Sequence, residues 1–300
     1  MPSIAAPTEW KEDFGTYALA AQRRAGRDSA PGSTVLALHG ARANLHRWQP
    51  LLTPLQALGV GSLAPSLSGH GPDTPISLDQ TSLAQNLREA LRFADLAGAP
   101  LRMVIGSSMG GALALRVAEH CAERIDTLVL CGPALYPEAA WTAAHFGVPF
   151  RSAISVPFGF LASRSLDFVR RFRGRVLLIQ GEWDGLQATD HGAPAGRSAG
   201  EVQLPLPDGS TRTVWSPIPA EVFTALREAA GPRLQHIGLR GCDHRLGAHL
   251  LQYPAVAQTL AQLLHDVLQR PRGDVATHAL PPALTIDCDG QLHTSALQLA

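Results

Sequence analysis

The chain has 300 residues, of which 45% are hydrophobic and 17% charged, and its 25 basic residues (Lys and Arg) balance 25 acidic ones. This much apolar material predicts a buried core and excludes a disordered tail. At about 100–200 residues per domain, the length allows one large domain or two small ones. Zero net charge gives no general reason to expect nucleic acid or an anionic membrane surface as a partner.

The cysteines and the first residues bear on the cellular compartment. No C-x-x-C spacing occurs among Cys121, Cys131, Cys242 and Cys288, which gives no support to a zinc ribbon or a thioredoxin-like motif. Residues 1–14 are too polar and acidic for a signal peptide. No apolar run approaches the roughly 20 residues that span a bilayer. We therefore expect a cytoplasmic protein with reduced thiols and no membrane span.

Short, nearly uniformly apolar runs alternate with longer amphipathic ones along the chain. This alternation predicts an α/β fold, with a mostly parallel central sheet and helices on both of its faces. The predicted strands are Thr34–Leu38, Val60–Ala64, Arg102–Ile105, Thr127–Leu130, Val176–Ile179 and His236–Leu239. The predicted helices are Pro50–Leu58, Leu83–Ala94, Ala112–His120 and Val256–Val267.

Three further segments fall outside this alternation. The middle one contains two β-rich runs, Val202–Leu206 and Thr211–Trp215, around an Asp-Gly turn, which predicts a hairpin. None of the three has enough apolar residues for a core of its own, so we predict a single domain over residues 1–300. Its additions are a small aromatic cap at about 134–165, an insertion at about 187–216 and a C-terminal extension at 271–300, in which a weaker hairpin signal occurs.

A G-x-S-x-G motif lies between a predicted strand and a predicted helix. A serine at such a sharp turn has a strained backbone, and the positions two before and two after it must lack a Cβ. Ser108 has Gly106 and Gly110 at those positions, whereas the neighbouring Ser107 would have Ile105 and Met109. We therefore predict that Ser108 is a nucleophile, the alternative being a purely structural turn.

A serine hydroxyl needs a base to accept its proton, and the base needs a carboxylate to orient it. Asp184 and His244 each follow the end of a predicted strand, where reacting groups of an open α/β sheet converge. The order Ser108, Asp184, His244 is also the one expected for this architecture. We predict these three residues as the catalytic set.

Other residues compete for these roles. Glu182 lies nearer to its strand and remains an alternative for the acid, whereas Asp243 is adjacent to His244 and is a poor orienter. His244 and His249 are five residues apart, or roughly 140° around a helix, so they do not share a face for binding a metal. We expect no metal site and no cofactor.

A turn after the first predicted strand supplies the candidate oxyanion hole. Backbone N–H groups in a water-poor site stabilise the negative charge of a tetrahedral intermediate. The N–H of Met109, at the start of a helix, and that of Ala41, after His39-Gly40, are the predicted donors. The alternative is that His39-Gly40 forms only a tight turn.

Together these residues resemble the α/β-hydrolase fold family over roughly residues 34–270. The resemblance also includes Trp48 and Ser68-Gly69-His70-Gly71 after the second predicted strand. Two departures are visible. Ser66 replaces an aspartate usual before the last of these motifs, and Asp184 and His244 are 60 residues apart, about twice the family's usual spacing. The hairpin insertion accounts for the excess.

The resemblance implies the serine-nucleophile branch of that family, since Ser108 stands where dehalogenases and epoxide hydrolases have an aspartate. We expect an ester hydrolase that forms an acyl-enzyme and acts on a small to medium, largely apolar substrate. A thioesterase or acyltransferase on a coenzyme A or carrier-bound acyl group remains open, as does carbon–carbon bond hydrolysis. A hydrolase-derived ligand receptor or scaffold with little turnover is the alternative from another class.

The pocket and the oligomeric state are less clearly encoded. His39, Trp141, Phe146 and Trp183 are the predicted pocket residues, with filling of gaps in the core as the alternative for the cap aromatics. The extension after Pro271 is a candidate for contacting a second subunit in a homodimer. Its alternative is a strand or loop folded back onto its own chain.

Overall fold

The computed structural model describes residues 5–26, 33–72, 74–187, 200–271 and 283–294. Part of the predicted insertion and much of the C-terminal extension therefore lie outside the described residues. The strands are β1 (Thr8–Asp13), β2 (Ala18–Arg24), β3 (Val35–Leu38), β4 (Ser62–Pro65), β5 (Met103–Ser107), β6 (Thr127–Cys131), β7 (Arg175–Gly181), β8 (Gly185–Gln187), β9 (Glu201–Pro205), β10 (Thr211–Trp215), β11 (Leu234–Leu239), β12 (Ala283–Ile286) and β13 (Leu292–Thr294). The α-helices are α1 (Gln49–Ala57), α2 (Leu83–Ala97), α3 (Met109–His120), α4 (Glu138–Trp141), α5 (Val148–Ile154), α6 (Arg164–Arg171), α7 (Ala220–Ala230), α8 (Leu246–Gln252) and α9 (Pro254–Gln269).

Within the described residues, most strands form one ten-stranded sheet in the order β1-β2-β4-β3-β5-β6-β7-β11-β12-β13. The strands from β4 to β12 in this order pair in parallel. Within this sheet, the antiparallel pairs are at the two ends: β1 with β2 and β2 with β4 at one end, and β12 with β13 at the other. The predicted α/β class and mostly parallel sheet are confirmed.

Apolar side chains cover both faces of this sheet. Successive residues of β5 alternate between two core clusters: Val104 belongs to the cluster that includes α2, α3, α6 and α7, and Ile105 to the one that includes α1, α8 and α9. Because side chains of a strand point to opposite faces in turn, a central strand covered by helices on both sides must be apolar throughout. That requirement explains why β3, β4, β5, β6, β7 and β11 are recognisable in the sequence as short apolar runs.

Local signals set the helix boundaries. The side chain of Ser82 accepts a hydrogen bond from Gln85 N–H and caps α2, which ends at Gly98, whose φ is +80°. Gly59 follows α1 with φ +93°, a left-handed conformation that glycine adopts without steric cost. The helix that we predicted from residue 112 begins earlier, at Met109, because the motif residues themselves form its first turn.

The edges of the sheet differ most from the sequence predictions. The N-terminal hairpin of β1 and β2 was not predicted, because polar residues are interspersed along both of its strands. The predicted hairpin in the insertion is confirmed as β9 and β10. In the described part of the C-terminal extension, β12 pairs with β11 and β13 with β12, so this part folds back onto its own sheet.

Candidate active site

The residues predicted to carry chemistry lie at the carboxyl ends of neighbouring strands. Leu38 of β3 is paired with Gly106 of β5, and Gly181 of β7 with Leu239 of β11, so these strands end at one edge of the sheet. Ser108 follows β5 directly, and Asp184 and His244 lie in the loops after β7 and β11. The parallel strands thus place these three residues, up to 136 residues apart in the sequence, at the same edge of the sheet.

Ser108 has the strained backbone that the motif predicts. Its φ is +54° and its ψ −121°, a conformation that a non-glycine residue rarely adopts. A Cβ on Gly106 would collide with the carbonyl oxygen of Gly110, and a Cβ on Gly110 with that of Leu38. The two glycines are therefore required by the close approach of α3 to β5 and β3.

Hydrogen bonds hold this turn from the neighbouring strand. The N–H of Ser108 donates to the carbonyl oxygen of Cys131, at the end of β6, over 3.1 Å. The carbonyl oxygen of Ser108 accepts from the N–H groups of Gly111 and Ala134, each at 2.9 Å. The strained conformation is thus offset by bonds to the backbone on both sides of it.

Asp184 and His244 form a hydrogen-bonded pair. Asp184 Oδ2 lies 2.7 Å from His244 Nδ1, and their side chains are 1% and 9% exposed. Asp184 Oδ1 accepts from the N–H of Gly185 over 3.1 Å. The carboxylate therefore fixes the orientation of the imidazole and leaves Nε2 as the nitrogen that can exchange a proton with another group.

The two competing carboxylates lie elsewhere. Glu182 Oε2 accepts from the N–H of Gly241 over 2.7 Å and so braces the loop that leads to His244. Asp243 forms an ion pair with Arg245 and accepts from the N–H of Trp215 over 3.0 Å. Of the three acids considered, Asp184 is the one bonded to the imidazole.

The hairpin insertion helps to hold the histidine loop. The N–H of His244 donates to the carbonyl oxygen of Trp215, in β10, over 2.8 Å. The Arg212 guanidinium of the same strand lies 4.2 Å from the centroid of the Trp183 ring, next to Asp184. The insertion therefore packs against the loops that carry the acid and the base.

Gly132 is a site residue that the sequence reasoning missed. A Cβ there would lie 2.6 Å from Asp184 Oδ2 and 3.1 Å from His244 Nδ1. The residue directly precedes Pro133 and follows Cys131, which accepts from Ser108, so it joins the nucleophile turn to the Asp184–His244 pair. Its φ of +48° also favours glycine. The signal that could have found it in the sequence is a glycine just after the predicted strand Thr127–Leu130.

The candidate oxyanion turn, residues 39–42, packs against Ser108. A Cβ on Gly40 would lie 3.1 Å from Ser108 Cβ. Met109 is buried as the first residue of α3, and Ala41 is exposed at the end of the turn. The backbone N–H groups of Ala41 and Met109, the two predicted donors, therefore belong to segments that adjoin Ser108.

Two buried histidines hold this turn. His39 Nε2 accepts from the N–H of Leu67 over 2.9 Å, which leaves Nδ1 to donate to the carbonyl oxygen of Gly40 over 2.8 Å. His70 Nδ1 accepts from the N–H of Arg42 over 3.3 Å, and its Nε2 donates to Asn86 Oδ1 over 2.9 Å. Both rings must be neutral to make these bonds. Burial accordingly lowers the pKa of His70, and it lowers the pKa of His39 to about 3.

A carboxylate completes the network behind His70. Glu89 is fully buried and accepts hydrogen bonds from the N–H of Ser68, over 3.0 Å, and from Asn86 Nδ2 and the Tyr17 hydroxyl. Desolvation and the bond to Glu89 both raise the pKa of Tyr17, so this hydroxyl stays protonated and remains a donor. The network connects the N-terminal hairpin to the oxyanion turn, and no sequence motif marked it.

The four predicted pocket residues have different surroundings. His39 is buried beneath the oxyanion turn, Trp141 packs in the core with the Arg116 guanidinium 4.8 Å from its ring centroid, and Trp183 is covered by Arg212. Phe146 lies beside the oxyanion turn, with its ring centroid 5.2 Å from that of His70 and 4.8 Å from that of Phe150.

Two observations about the described residues bear on metal binding and on membrane insertion. These contain no cluster of three or more His, Cys, Asp or Glu side chains arranged to hold a metal ion. His249 is buried in α8, where its Nε2 has no hydrogen-bond partner. No helix within the same ranges is both long and apolar enough to cross a membrane.

Residues 29–182, just over half of the chain, match the family described as serine aminopeptidase, S33. The chain belongs to this family. The matched range includes the oxyanion turn and the nucleophile turn and ends at Glu182, before Asp184 and His244. The resemblance to α/β-hydrolases that the motifs indicated is thereby confirmed.

Curated relatives match only part of the chain. The dihydrolipoyllysine-residue acetyltransferase component of the acetoin cleaving system of Cupriavidus necator is 34% identical over 39% of this chain and 30% of its own length. The 2-hydroxy-6-oxononadienedioate/2-hydroxy-6-oxononatrienedioate hydrolase of Comamonas testosteroni is 26% identical over 53% of this chain and 58% of its own length. The chain thus spans less than three fifths of either relative.

Solved structures share the fold over most of the chain. The ferulic acid complex of Est1E from Butyrivibrio proteoclasticus has a TM-score of 0.60 and 17% identity, and it covers 87% of this chain and 100% of its own. The thioesterase domain from the curacin biosynthetic pathway has a TM-score of 0.56 and 17% identity, and covers 88% and 100%. At these identities the likeness establishes the α/β-hydrolase fold.

The contact of Gly132 with the acid–base pair can be tested by Gly132→Ala. The added methyl group would displace Asp184 or His244, and we expect the rate at which a fluorophosphonate modifies Ser108 to fall about 10²-fold, as for other small displacements of reacting groups. Gly231→Ala is the matched control, because Gly231 has a similar φ of +56° with nothing within 4 Å of its Cβ position. Equal losses in the two variants would mean that backbone strain, and not the contact, matters.

The neutral state of His39 predicts a pH-dependent stability. In the unfolded chain histidine titrates near 6.5, whereas the folded pKa of His39 is about 3. Between these values the unfolded state binds one more proton than the folded state. The free energy of unfolding should therefore be highest above about pH 6.5 and fall below it by about 1.4 kcal/mol per pH unit for each such histidine.

Guanidinium unfolding between about pH 7 and pH 5 measures this slope. His39→Gln should unfold with a smaller pH dependence than the wild type, because glutamine does not titrate. His120→Gln, at an exposed histidine of α3, should retain the wild-type slope. An unchanged slope in His39→Gln would contradict a neutral buried His39.

Proposed function

We propose that this protein is a serine hydrolase that cleaves a carboxylic ester through an acyl-enzyme, with Ser108 as nucleophile, His244 as base and Asp184 as orienting acid. The observation that carries the proposal is the buried 2.7 Å bond between Asp184 and His244 at the same edge of the sheet as the strained Ser108. Membership of a serine hydrolase family supports the same reading.

In this proposal, His244 Nε2 takes the proton of Ser108 Oγ as the oxygen attacks the ester carbonyl carbon. The N–H groups of Ala41 and Met109 donate to the oxyanion of the tetrahedral intermediate. The ester C–O bond then breaks, and His244 returns the proton to the leaving alcohol. Water attacks the acyl-enzyme by the same steps in reverse order, which releases the acid and restores Ser108.

The aromatic residues of the cap favour a substrate whose acyl group is apolar. The rings of Phe146, Phe150 and Tyr136 form a chain of edge contacts with centroid distances of 4.8 and 5.5 Å, beginning next to His70. An aromatic surface beside the oxyanion turn suits an acyl chain or ring of modest size better than a charged one.

Carbon–carbon bond hydrolysis is the second candidate. It is favoured by the relatives named as 2-hydroxy-6-oxo acid hydrolases, at 24–26% identity over 53% of this chain. Acyl transfer is supported in the same limited way by the relative named as an acetyltransferase component, which matches over a shorter stretch. A binding protein with little turnover is disfavoured by the intact acid–base pair.

A substrate panel separates these candidates. We expect p-nitrophenyl esters of short and medium acids to be turned over faster than acyl-coenzyme A, a 2-hydroxy-6-oxo dienoate or an aminoacyl p-nitroanilide, the last being included because of the family's description. Faster cleavage of any of the other three would replace the ester assignment. Labelling by a fluorophosphonate without turnover of any substrate would favour the binding protein.

The roles of the three residues are tested by single substitutions. Ser108→Ala should abolish fluorophosphonate labelling and ester turnover, and Asp184→Asn should lower kcat about 10⁴-fold, because the imidazole would lose the acceptor that fixes its tautomer. Glu182→Gln is the matched control, since the amide oxygen can still accept from Gly241, and its kcat should stay close to the wild-type value. A Ser108→Ala variant that still labels would show that the nucleophile is another residue.

A further inference from the structure

A groove of about 1130 Å³ opens beside the candidate active site. At one end it is lined by Ala41, the proposed oxyanion donor, and by Gly247, three residues after His244. From there it follows α1, where Gln49, Pro50, Thr53, Pro54, Ala57 and Leu58 line it at helical spacing. Since α1 has nine residues, the groove runs for about 13 Å.

The charged side chains among the described lining residues of this groove are both arginines. Arg42 and Arg47 line its end near Ala41, and no aspartate or glutamate lies among its described lining residues. Neither arginine makes an ion pair within the described part of the chain, whereas the nearby Arg245 is paired with Asp243. Asp73, which follows the lining residue Pro72 in sequence, lies outside the described residues.

Arg47 is an exposed residue that makes no ion pair with another described side chain. Its Cδ and Nε lie against Gly247, where a Cβ would come within 2.6 Å of both atoms. Partial desolvation and the positive charge of Arg245 lower the pKa of Arg47, and Asp243 opposes them only in part. An anion bound in the groove could form a charge-assisted hydrogen bond with the Arg47 guanidinium.

The position of the groove indicates which part of a substrate would enter it. In the proposed mechanism His244 protonates the leaving group, so the leaving group must lie near the loop that continues from His244 into α8. The groove reaches Gly247, in the first turn of α8 just after that loop, whereas the aromatic rings of the cap contact His70. The acyl group and the leaving group would thus occupy different surfaces.

We propose that this groove binds the leaving group of the substrate, and that Arg42 and Arg47 bind a carboxylate or phosphate carried by that group. This inference rests on the proposed ester hydrolysis and, among esters, favours those with an anionic leaving group. The remaining wall is formed by α1 on one side and by α8 and α9 on the other, and its prolines, leucines and alanines would contact an apolar stretch of the same group.

A pair of substrates that differ by one charge tests the proposal. 4-Acetoxybenzoate and its methyl ester carry the same acyl group on the same phenol, and we compare the ratio of their kcat/KM values. Arg47→Gln should lower the ratio of the anionic to the neutral substrate about tenfold, the loss expected for one charge-assisted hydrogen bond. Arg42→Asn, which tolerates the φ of +59° at this position, should lower it as well.

Arg173→Gln is the matched control. It removes the same charge from an exposed arginine that precedes β7, at the edge of the sheet opposite the site, and should leave the ratio unchanged. Acetyl-coenzyme A distinguishes a carboxylate from a phosphate as the anion. If Arg47→Gln lowers kcat/KM for 4-acetoxybenzoate, the groove binds a carboxylate. If it lowers kcat/KM for acetyl-coenzyme A alone, the groove binds a phosphate. An unchanged kcat/KM for both substrates would overturn the proposal.

Direct binding separates this proposal from that of the reaction. In the Ser108→Ala background, calorimetry with 4-hydroxybenzoate and with coenzyme A should show binding that Arg47→Gln weakens about tenfold. If the wild type hydrolyses no ester but this binding is seen, the groove stands and the proposed reaction is wrong. If esters are hydrolysed and neither anion binds, the groove proposal is wrong and the reaction stands.

Discussion

The close approach of α3 to the ends of β3 and β5 is the constraint on which the rest of the site depends. It is permitted only because Gly106 and Gly110 lack side chains where carbonyl oxygens pass, and it forces Ser108 to a φ of +54°. The strained backbone is held by hydrogen bonds to Cys131, at the end of the next strand, and to Ala134, in the loop after it. A nucleophile on a turn of this kind is presented above the sheet edge, where loops from other strands can reach it.

Support for those loops comes from buried polar groups with complete sets of partners. His39 and His70 act as neutral acceptors and donors beneath the oxyanion turn, and Asn86 and Glu89 extend the network to the first hairpin. Each buried polar group is costly unless it is satisfied, so such a network permits few alternative loop positions. Positioning of the backbone donors at Ala41 is in this way coupled to distant parts of the chain.

The additions to the fold lie on different sides of the site. The β9–β10 hairpin braces the histidine loop through Trp215, and the cap places aromatic rings beside His70. The arginine-lined groove begins where the oxyanion turn meets α8. In the proposed reaction this arrangement separates an apolar acyl surface from a positively charged leaving-group surface, a distinction to which the balanced charge of the whole chain gave no clue.

Sequence alone determined what local physics controls. Most positions of the predicted parallel strands are apolar because both faces of the sheet are covered. The motif around Ser108 can be recognised because its two required glycines lie within five residues of the chain. Chain order placed Asp184 and His244 at strand ends, but their 2.7 Å bond, and Glu182 turning to Gly241, depend on how the β7 and β11 loops pack. The Gly132 contact, the His70 network and the groove involve residues far apart in sequence. Only the tertiary structure decided them, because a local sequence pattern does not specify which distant backbone groups, rings or guanidinium groups come into contact when the chain folds.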